Sequence, residues 1–190
     1  MSRGFTLIEL LYALTVLALV LAVGAPSFQS AVQNSRMSSS VNNMIATLQM
    51  ARSEAIKRRQ PVKLCVNLED DDSCDAGDSD TDVFWHEGWM VFTDPNDNDM
   101  VDTGEQVIRR EGKMPKAVRV STPSGQSLQV SLSYLPSGFP DLGGLDAAGV
   151  LVFCDGRASN HYGRIIAISQ TGRPLATTVD KREDLGETCE

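Results

Sequence analysis

The sequence predicts an α+β protein in which one long N-terminal helix precedes a β-rich domain. Three features indicate this. An almost uncharged apolar run covers residues 5–25, an amphipathic stretch covers residues 26–60, and short apolar segments punctuated by Gly and Pro fill residues 61–190. Punctuation at intervals of roughly a dozen residues is typical of antiparallel strands joined in sequence order.

The apolar run has the length of a membrane span. From Phe5 to Ala25 the only formal charge is that of Glu9. As a helix this run is about 30 Å long, which matches the hydrocarbon core of a bilayer. Arg3 precedes the run, and the positive-inside rule places it in the cytoplasm and the rest of the chain across the membrane. A carboxylate one turn into such a helix is costly, so Glu9 is a candidate functional residue.

Residues 26–60 predict a second, amphipathic helical half. Pro26 would remove one backbone hydrogen bond from a continuous helix, so we expect a kink near the membrane exit. One apolar stripe at helical spacing is formed by Val41, Met44, Ile45, Leu48, Ala51 and Ala55. The cluster Lys57–Arg59 suits the C-terminal end of a helix, and Pro61 stops it. A nucleic-acid role for these cations is the alternative interpretation.

The remaining residues, 61–190, predict a domain of antiparallel strands. Val62 to Leu68 alternates apolar and other residues, which indicates a half-buried strand. We expect the acidic segment from Glu69 to Asp82 to be a solvated loop that is too charged to pack. Further strands are predicted near residues 83–85, 89–92, 107–108, 118–120, 128–135, 150–153, 164–169 and 174–179. The formal net charge of −8 argues against a generally DNA-binding surface.

All four cysteines lie beyond the apolar run, and their even number fits disulfides in an oxidising compartment. Sequence alone allows three pairings. We predict that Cys65 pairs with Cys74, closing a short loop around the acidic segment, and that Cys154 pairs with Cys189, tying the C-terminal tail to a core strand. The rival interpretation is a zinc site, but the chain has no C-x-x-C spacing.

One loop has the ligand spacing of a calcium site. Counted from Asp94, oxygen side chains stand at loop positions 1, 3, 5, 9 and 12, namely Asp94, Asn96, Asn98, Asp102 and Glu105. The sixth position is Asp99 instead of the Gly that a sharp turn favours, and the flanks are predicted strands. The alternative is a hairpin turn, because Asp and Asn form turns by bonding their own backbone. Apart from this possible Ca²⁺, we predict no cofactor.

No catalytic centre is predicted. The two histidines, His86 and His161, lie in different segments, and neither has a nucleophile motif such as G-x-S-x-G nearby. We therefore expect a protein that is not an enzyme.

The N-terminal segment Gly4-Phe5-Thr6-Leu7-Ile8-Glu9 resembles the type IV prepilin signature. The resemblance implies that residues 1–4 are a leader peptide, that a membrane peptidase cuts between Gly4 and Phe5, and that the new N-terminus is methylated. It also implies that Glu9 pairs with the N-terminal amine of a neighbouring subunit and that Pro26 lies where such helices loosen in fibres.

The later part of the chain is similar to the GspH/FimT family of minor pilins and pseudopilins. The segments that carry this similarity are residues 51–57, 62–65, 88–94, 153–157, 169–173 and the final Cys189. The resemblance implies the type IV pilin fold, in which the amphipathic half of the helix packs on the β-rich head and the apolar half packs into a fibre core.

From this resemblance we expect a subunit of the tip or priming complex of a type IV pilus, or of a type II secretion pseudopilus. The expected partners are other minor pilins, the major pilin or pseudopilins, prepilin peptidase and the inner-membrane assembly platform. The expected location is the inner membrane, spanned once, with a periplasmic head.

The alternative is a DNA-binding minor pilin that acts in natural transformation. Some members of the family have a second Arg two residues after the C-terminal Gly-Arg pair, whereas here that place is Leu175. The residues that would contact DNA are Arg157, Arg164, Arg173 and Lys181, which converge if the last strands form a meander.

Overall fold

The computed structural model describes residues 6–68, 71–75, 85–115, 117–122, 128, 130–141, 149–157 and 162–179. Within them lie one helix, α1 (Leu7–Arg58), and nine strands. The strands are β1 (Val62–Val66), β2 (Trp89–Thr93), β3 (Val107–Glu111), β4 (Val118–Ser121), β5 (Ser131–Tyr134), β6 (Pro140–Asp141), β7 (Gly149–Asp155), β8 (Arg164–Ile168) and β9 (Pro174–Thr178). The chain forms two compact units, Met1–Ser35 and Arg36–Glu190, which we describe separately.

Helix α1 ends where the sequence predicts. Its last turn carries Lys57 and Arg58, whose positive charges suit the C-terminal end of the helix dipole. Arg59 then takes a left-handed backbone conformation, with φ of 56°, and Pro61 follows. Pro26 lies inside the helix, which the structure continues on both sides of it. The kink expected at Pro26 stays a prediction.

The predicted apolar stripe of the second helical half is confirmed. Val41, Met44, Leu48, Ala51 and Ala55 are buried in the main hydrophobic core, and Ile45 packs against that core half-buried. Met37 extends the stripe one turn towards the N-terminus. This is the burial that helical spacing of apolar residues requires.

The β domain consists of two antiparallel sheets. The first has the strand order β3-β2-β1-β5-β6, and the second has the order β4-β7-β8-β9. The stripe of α1 shares one core with side chains from both sheets, including Leu64, Val91, Leu132, Phe153 and Ile166. The α+β prediction is therefore confirmed, with the strands arranged antiparallel throughout.

The prediction of a half-buried β1 is wrong, because all five of its residues are buried. Val62, Leu64 and Val66 face the main core. On the opposite face, Cys65 belongs to a second apolar cluster with Met90 and Phe92. The alternation is real, but loop residues cover the face that a lone strand would expose.

The prediction that the acidic segment does not pack is also wrong for its described part, residues 71–75. Cys74 packs against the cluster of Cys65, Met90 and Phe92. The Cys74 N–H donates to the Asp99 carbonyl at 2.8 Å, and the Val101 N–H donates to the Asp72 carbonyl at 2.7 Å. These bonds join the segment to the loop after β2, while Asp71 and Asp72 remain exposed.

Most predicted strands are confirmed, with small changes at their ends. The strand expected at 128–135 covers only Ser131–Tyr134, and β6 was not predicted. Trp85 lies in a turn and not in a strand, while residues 83–84 fall outside the described residues. Trp85 is nevertheless a core residue, and its indole N–H donates to the Leu128 carbonyl at 2.9 Å.

Candidate functional site

The first half of α1 exposes apolar side chains on every side. Twelve large apolar residues are more than half exposed: Leu7, Ile8, Leu10, Leu11, Tyr12, Leu14, Val16, Leu17, Leu19, Val20, Leu21 and Phe28. It is the one helix among the described residues that is long and apolar enough to cross a membrane. Moving these twelve side chains out of water is favourable by on the order of 20 kcal/mol. We therefore expect them to be buried in an apolar environment.

Thr6 and Glu9 together form the start of this helix. The Glu9 N–H donates to Thr6 Oγ1 at 3.4 Å, and the Leu10 N–H donates to the Thr6 carbonyl at 3.2 Å. This is half of the capping box that Ser/Thr-x-x-Glu forms at helix N-termini. The Glu9 carboxylate has no basic partner within the described part of the chain.

The predicted processing residues, Gly4 and Phe5, fall outside the described residues, as does the rest of the leader. Cleavage between them stays a prediction.

The predicted pairing of Cys65 with Cys74 is confirmed. It closes a loop with a sequence separation of 9 residues, which stabilises the fold by about 2–3 kcal/mol in the chain-entropy model. Cys154 is not a free thiol. Its predicted partner, Cys189, lies outside the described residues, and that pairing stays a prediction.

A buried lysine lies at the centre of the loop for which we predicted Ca²⁺. The side chain of Lys63 is 5% exposed, and its Nζ lies 2.9 Å from Asp94 Oδ2, 2.6 Å from Asp97 Oδ1 and 2.6 Å from Asp99 Oδ1. Burial by itself lowers the pKa of Lys63, but the hydrogen bonds with the three carboxylates outweigh it and raise the pKa above the ordinary lysine value. The ammonium group is therefore charged at every physiological pH.

The predicted calcium ligands bond one another in this loop. Asn96 and Asn98 both donate side-chain amide hydrogens to Asp102 Oδ2, at 2.9 and 2.7 Å, and Glu105 Oε2 accepts from the Asp102 N–H at 2.9 Å. Asp94 accepts backbone N–H groups from the loop, as in the alternative hairpin-turn interpretation. Asp97 and Asp99 both have positive φ. Among the described residues no group of three or more His, Cys, Asp or Glu side chains could hold a metal.

Two basic residues of the DNA interpretation, Arg164 and Arg173, lie far apart. β8 pairs with β9 so that Arg164 opposes Thr178 and Ile168 opposes Pro174. The Ser169 N–H donates to the Arg173 carbonyl, so Arg164 and Arg173 lie at opposite ends of the hairpin, about 17 Å apart along the strand. Arg157 forms an ion pair with Asp155 and stacks 3.7 Å above the Tyr162 ring. Lys181 lies outside the described residues.

Of the two histidines, only His86 is described. Burial lowers its pKa, although Glu87 opposes the shift. Its Nδ1 accepts a hydrogen bond from the Val120 N–H at 3.3 Å, as expected of a neutral imidazole. This is the arrangement of a structural histidine.

Sequence reasoning missed two positions that shape the head. Lys63 appeared only as the polar member of an alternating strand, and its acidic partners are 31 to 36 residues further along the chain. Gly138 was not singled out, yet a Cβ there would lie 2.7 Å from Ile56 Cδ1. Its carbonyl accepts a hydrogen bond from Arg52 Nε at 2.9 Å, which connects α1 to the turn between β5 and β6.

The comparisons with known proteins agree with this architecture. The family model described as type II transport protein GspH matches residues 40–172, and the prokaryotic N-terminal methylation motif matches residues 1–25. No curated protein sequence matches the chain.

Among solved structures, the type IV minor pilin FimU of Pseudomonas aeruginosa superposes in two crystal forms, with TM-scores of 0.57 and 0.55. Sequence identity is 18% in both cases, and the alignments cover 81% and 80% of this chain and 95% and 99% of FimU. The minor pseudopilin EpsH of the type 2 secretion system of Vibrio cholerae gives a TM-score of 0.48 at 10% identity, covering 75% of this chain and 97% of EpsH. The FimU match confirms the predicted pilin fold.

The GspH model spans well over half of the chain, and the methylation motif covers the segment that contains Glu9. The chain belongs to the GspH family of type IV minor pilins and pseudopilins.

Proposed function

We propose that this chain is a low-copy, non-enzymatic subunit whose helix moves from the inner membrane into the core of a pilus or pseudopilus. The observation that carries the proposal is the exposure of twelve large apolar side chains around the first half of α1. A helix that is apolar on every side must be buried in lipid or among other helices. The membrane buries the helix in lipid before assembly, and the fibre core buries it among other helices afterwards.

The proposed topology has one membrane span and a periplasmic head. Arg3 before the span favours a cytoplasmic leader. The Cys65–Cys74 disulfide favours an oxidising compartment for the head, since such bonds persist there and are rare in the cytosol. Prepilin peptidase would then act between Gly4 and Phe5 at the cytoplasmic face, and the assembly platform would receive the processed subunit.

Glu9 supplies the specificity of assembly in this proposal. Its carboxylate lies on a helix without a basic partner in the described part of the chain. Such a charge is costly in an apolar environment until a cation joins it. The methylated N-terminal amine of an adjacent pilin or pseudopilin would provide that cation and set the register between the two helices.

Substitution of Glu9 tests this assignment. The Glu9→Ala variant should still be processed to a chain beginning at Phe5, but its amount in sheared fibres should fall at least about tenfold, the effect of losing a buried ion pair worth more than about 1.4 kcal/mol. The control is Asp72→Ala, which removes a carboxylate whose side chain is 74% exposed on the head and should leave incorporation unchanged. Normal incorporation of the Glu9→Ala variant would contradict the proposal.

A further inference from the structure

Three apolar side chains are exposed around Gly138 at the C-terminal end of α1. Ile56 lies in the last turns of the helix, while Leu135 and Phe139 flank the turn between β5 and β6. Their exposed fractions are 49%, 37% and 51%. We call these three residues, with Gly138 between them, the Gly138 face.

Backbone hydrogen bonds and close contacts hold the turn of the Gly138 face in place. The Gly138 N–H donates to the Leu135 carbonyl at 2.8 Å, and the Leu135 N–H donates to the Phe139 carbonyl at 2.9 Å. Gly138 has φ of 80°, and a Cβ there would overlap Ile56. From the other side Gly172 packs so closely that its own Cβ would lie 2.7 Å from the Gly138 carbonyl oxygen. Little conformational entropy remains to be lost when a partner binds such a surface.

The apolar side chains have no place in the interior. Behind the turn, Tyr134 and Ala55 are completely buried, and the Tyr134 hydroxyl donates to the Gly172 carbonyl at 3.3 Å. Burial raises the pKa of Tyr134, so this hydroxyl stays a donor at physiological pH. Tyr134 and Ala55 occupy the core behind the turn, so contact with another molecule is the way for the exposed Ile56 and Phe139 to lose their contact with water.

Two cations border the Gly138 face without carboxylate partners. Arg52 uses its Nε to bond the Gly138 carbonyl, and Arg173 follows Gly172 directly in the chain and is exposed. Within the described residues neither guanidinium lies within 4.0 Å of a carboxylate, although acidic residues outnumber basic ones, 25 to 17, in the whole chain. An unneutralised positive rim around an apolar centre is complementary to a partner with acidic residues around an apolar patch.

We propose that the Gly138 face is the docking surface for the head of another pilin-like subunit, one that presents an apolar patch rimmed by carboxylates. The inference rests on the proposed function and adds where the partner binds. The surface fits a protein better than a nucleic acid, because two arginines neutralise few phosphates and aliphatic side chains such as Ile56 gain nothing from a sugar–phosphate backbone.

Site-specific photo-crosslinking of the full chain in its own cells tests this. The photoreactive amino acid p-benzoylphenylalanine replaces Phe139 in one strain and Leu68, which is 43% exposed in the loop after β1, in the control strain. A third strain carries it at Leu14, which is 52% exposed in the apolar half of α1. Crosslinked peptides are identified by mass spectrometry.

We expect the Phe139 position to crosslink to the head of a protein that has its own prepilin signature. Arg173→Glu should lower this yield about two- to fivefold, the loss expected from one exposed ion pair. Arg173→Gln should lower it less, and Arg119→Glu, a control on the exposed Arg119 of β4, should not change it. Intact Cys65–Cys74 pairing and normal processing of each variant verify that the head has folded.

Other results would overturn the inference. Suppose that position 139 crosslinks only to DNA or lipid, or to no pilin-like protein, while position 14 does crosslink to a pilin-like protein. This result would exclude the docking surface but would not contradict the proposed function. Equal crosslinking of the same peptide from Leu68 would show that the Gly138 face is not specific. If Leu14 fails to crosslink to any pilin-like helix, the proposed function itself fails and the inference fails with it.

Discussion

Replacing Lys63 by Met tests the role of the buried ammonium group in the head. Methionine retains much of the aliphatic length but leaves Asp94, Asp97 and Asp99 without their shared cation. Asp94 is the critical partner, because its side chain is 0% exposed and those of Asp97 and Asp99 are 77% and 56% exposed. After the substitution Asp94 would hold a buried charge supported only by hydrogen-bond donors such as the N–H groups of Asn98 and Asp99.

The expected loss of unfolding free energy is about 3 kcal/mol. Removing one member of a buried ion pair costs about 3–5 kcal/mol. The two exposed aspartates contribute at most about 1 kcal/mol each, and the backbone N–H groups offset part of the penalty at Asp94. For a domain of this size, a loss of about 3 kcal/mol lowers the melting temperature by about 6–12 °C.

Thermal unfolding of the detergent-solubilised full chain measures this, with the fluorescence of the buried Trp85 and Trp89 as the signal. The matched control is Lys113→Met, which removes a lysine that is 74% exposed and pairs only with Glu87 among the described residues, and should cost less than about 1 kcal/mol. The double variant Lys63→Met, Asp94→Asn should recover part of the loss because it removes the orphaned charge. Equal effects of the two lysine substitutions, or no recovery in the double variant, would refute the reasoning.

The pH dependence of the Lys63 contribution follows from its raised pKa. The pKa of Lys63 is higher in the folded state than in the unfolded state, where a lysine has a pKa of about 10.4. Such a group stabilises the fold fully at pH values below its unfolded pKa. The stabilisation is lost only as the pH rises through the folded pKa. The stability difference between the wild type and Lys63→Met should therefore stay constant from about pH 7 to 9.

Three further predictions concern the remaining sites. Non-reducing peptide mapping should recover a Cys154–Cys189 peptide, and free thiols at both positions in protein purified from the periplasm would contradict this pairing. Millimolar Ca²⁺ should raise the melting temperature of Lys63→Met more than that of the wild type, because the variant leaves three carboxylates without their cation. An equal rise in both proteins would instead support the predicted Ca²⁺ site, which consists of Asp94, Asn96, Asn98, Asp102 and Glu105. The full chain in detergent should bind duplex DNA no more tightly than ~10⁻⁴–10⁻⁶ M at physiological salt, since its formal net charge is −8 and Arg173 lies far from Arg164. Submicromolar binding abolished by Arg173→Gln would favour the DNA-receptor alternative.

The sequence predicted the elements that depend on local patterns. Helical spacing identified the stripe from Val41 to Ala55, and Pro61 with the preceding cations marked the helix end, because both signals act within one or two turns. Short apolar segments identified strands such as Trp89–Thr93 and Arg164–Ile168 for the same reason.

What the sequence did not predict depends on contacts between distant segments. Both faces of β1 are buried because Cys74 and the loop after β2 cover Cys65. The local sequence pattern of β1 does not predict contacts with these distant residues. Lys63 looked like the solvated member of an alternating strand, because the aspartates that surround it come from another loop. The Gly138 face likewise exists only because the helix end meets two turns, at Gly138 and Gly172.

The state of the N-terminus in assembled fibres tests the central claim most directly. Fibres would be sheared from cells that have an active prepilin peptidase, separated from membranes, and digested for mass spectrometry with the membrane fraction as the comparison. The account predicts a sub-stoichiometric peptide in the fibre fraction that begins at Phe5 and carries one additional methyl group. A chain that keeps Met1 and is found only in the membrane fraction would contradict the claim that this protein is a processed fibre subunit.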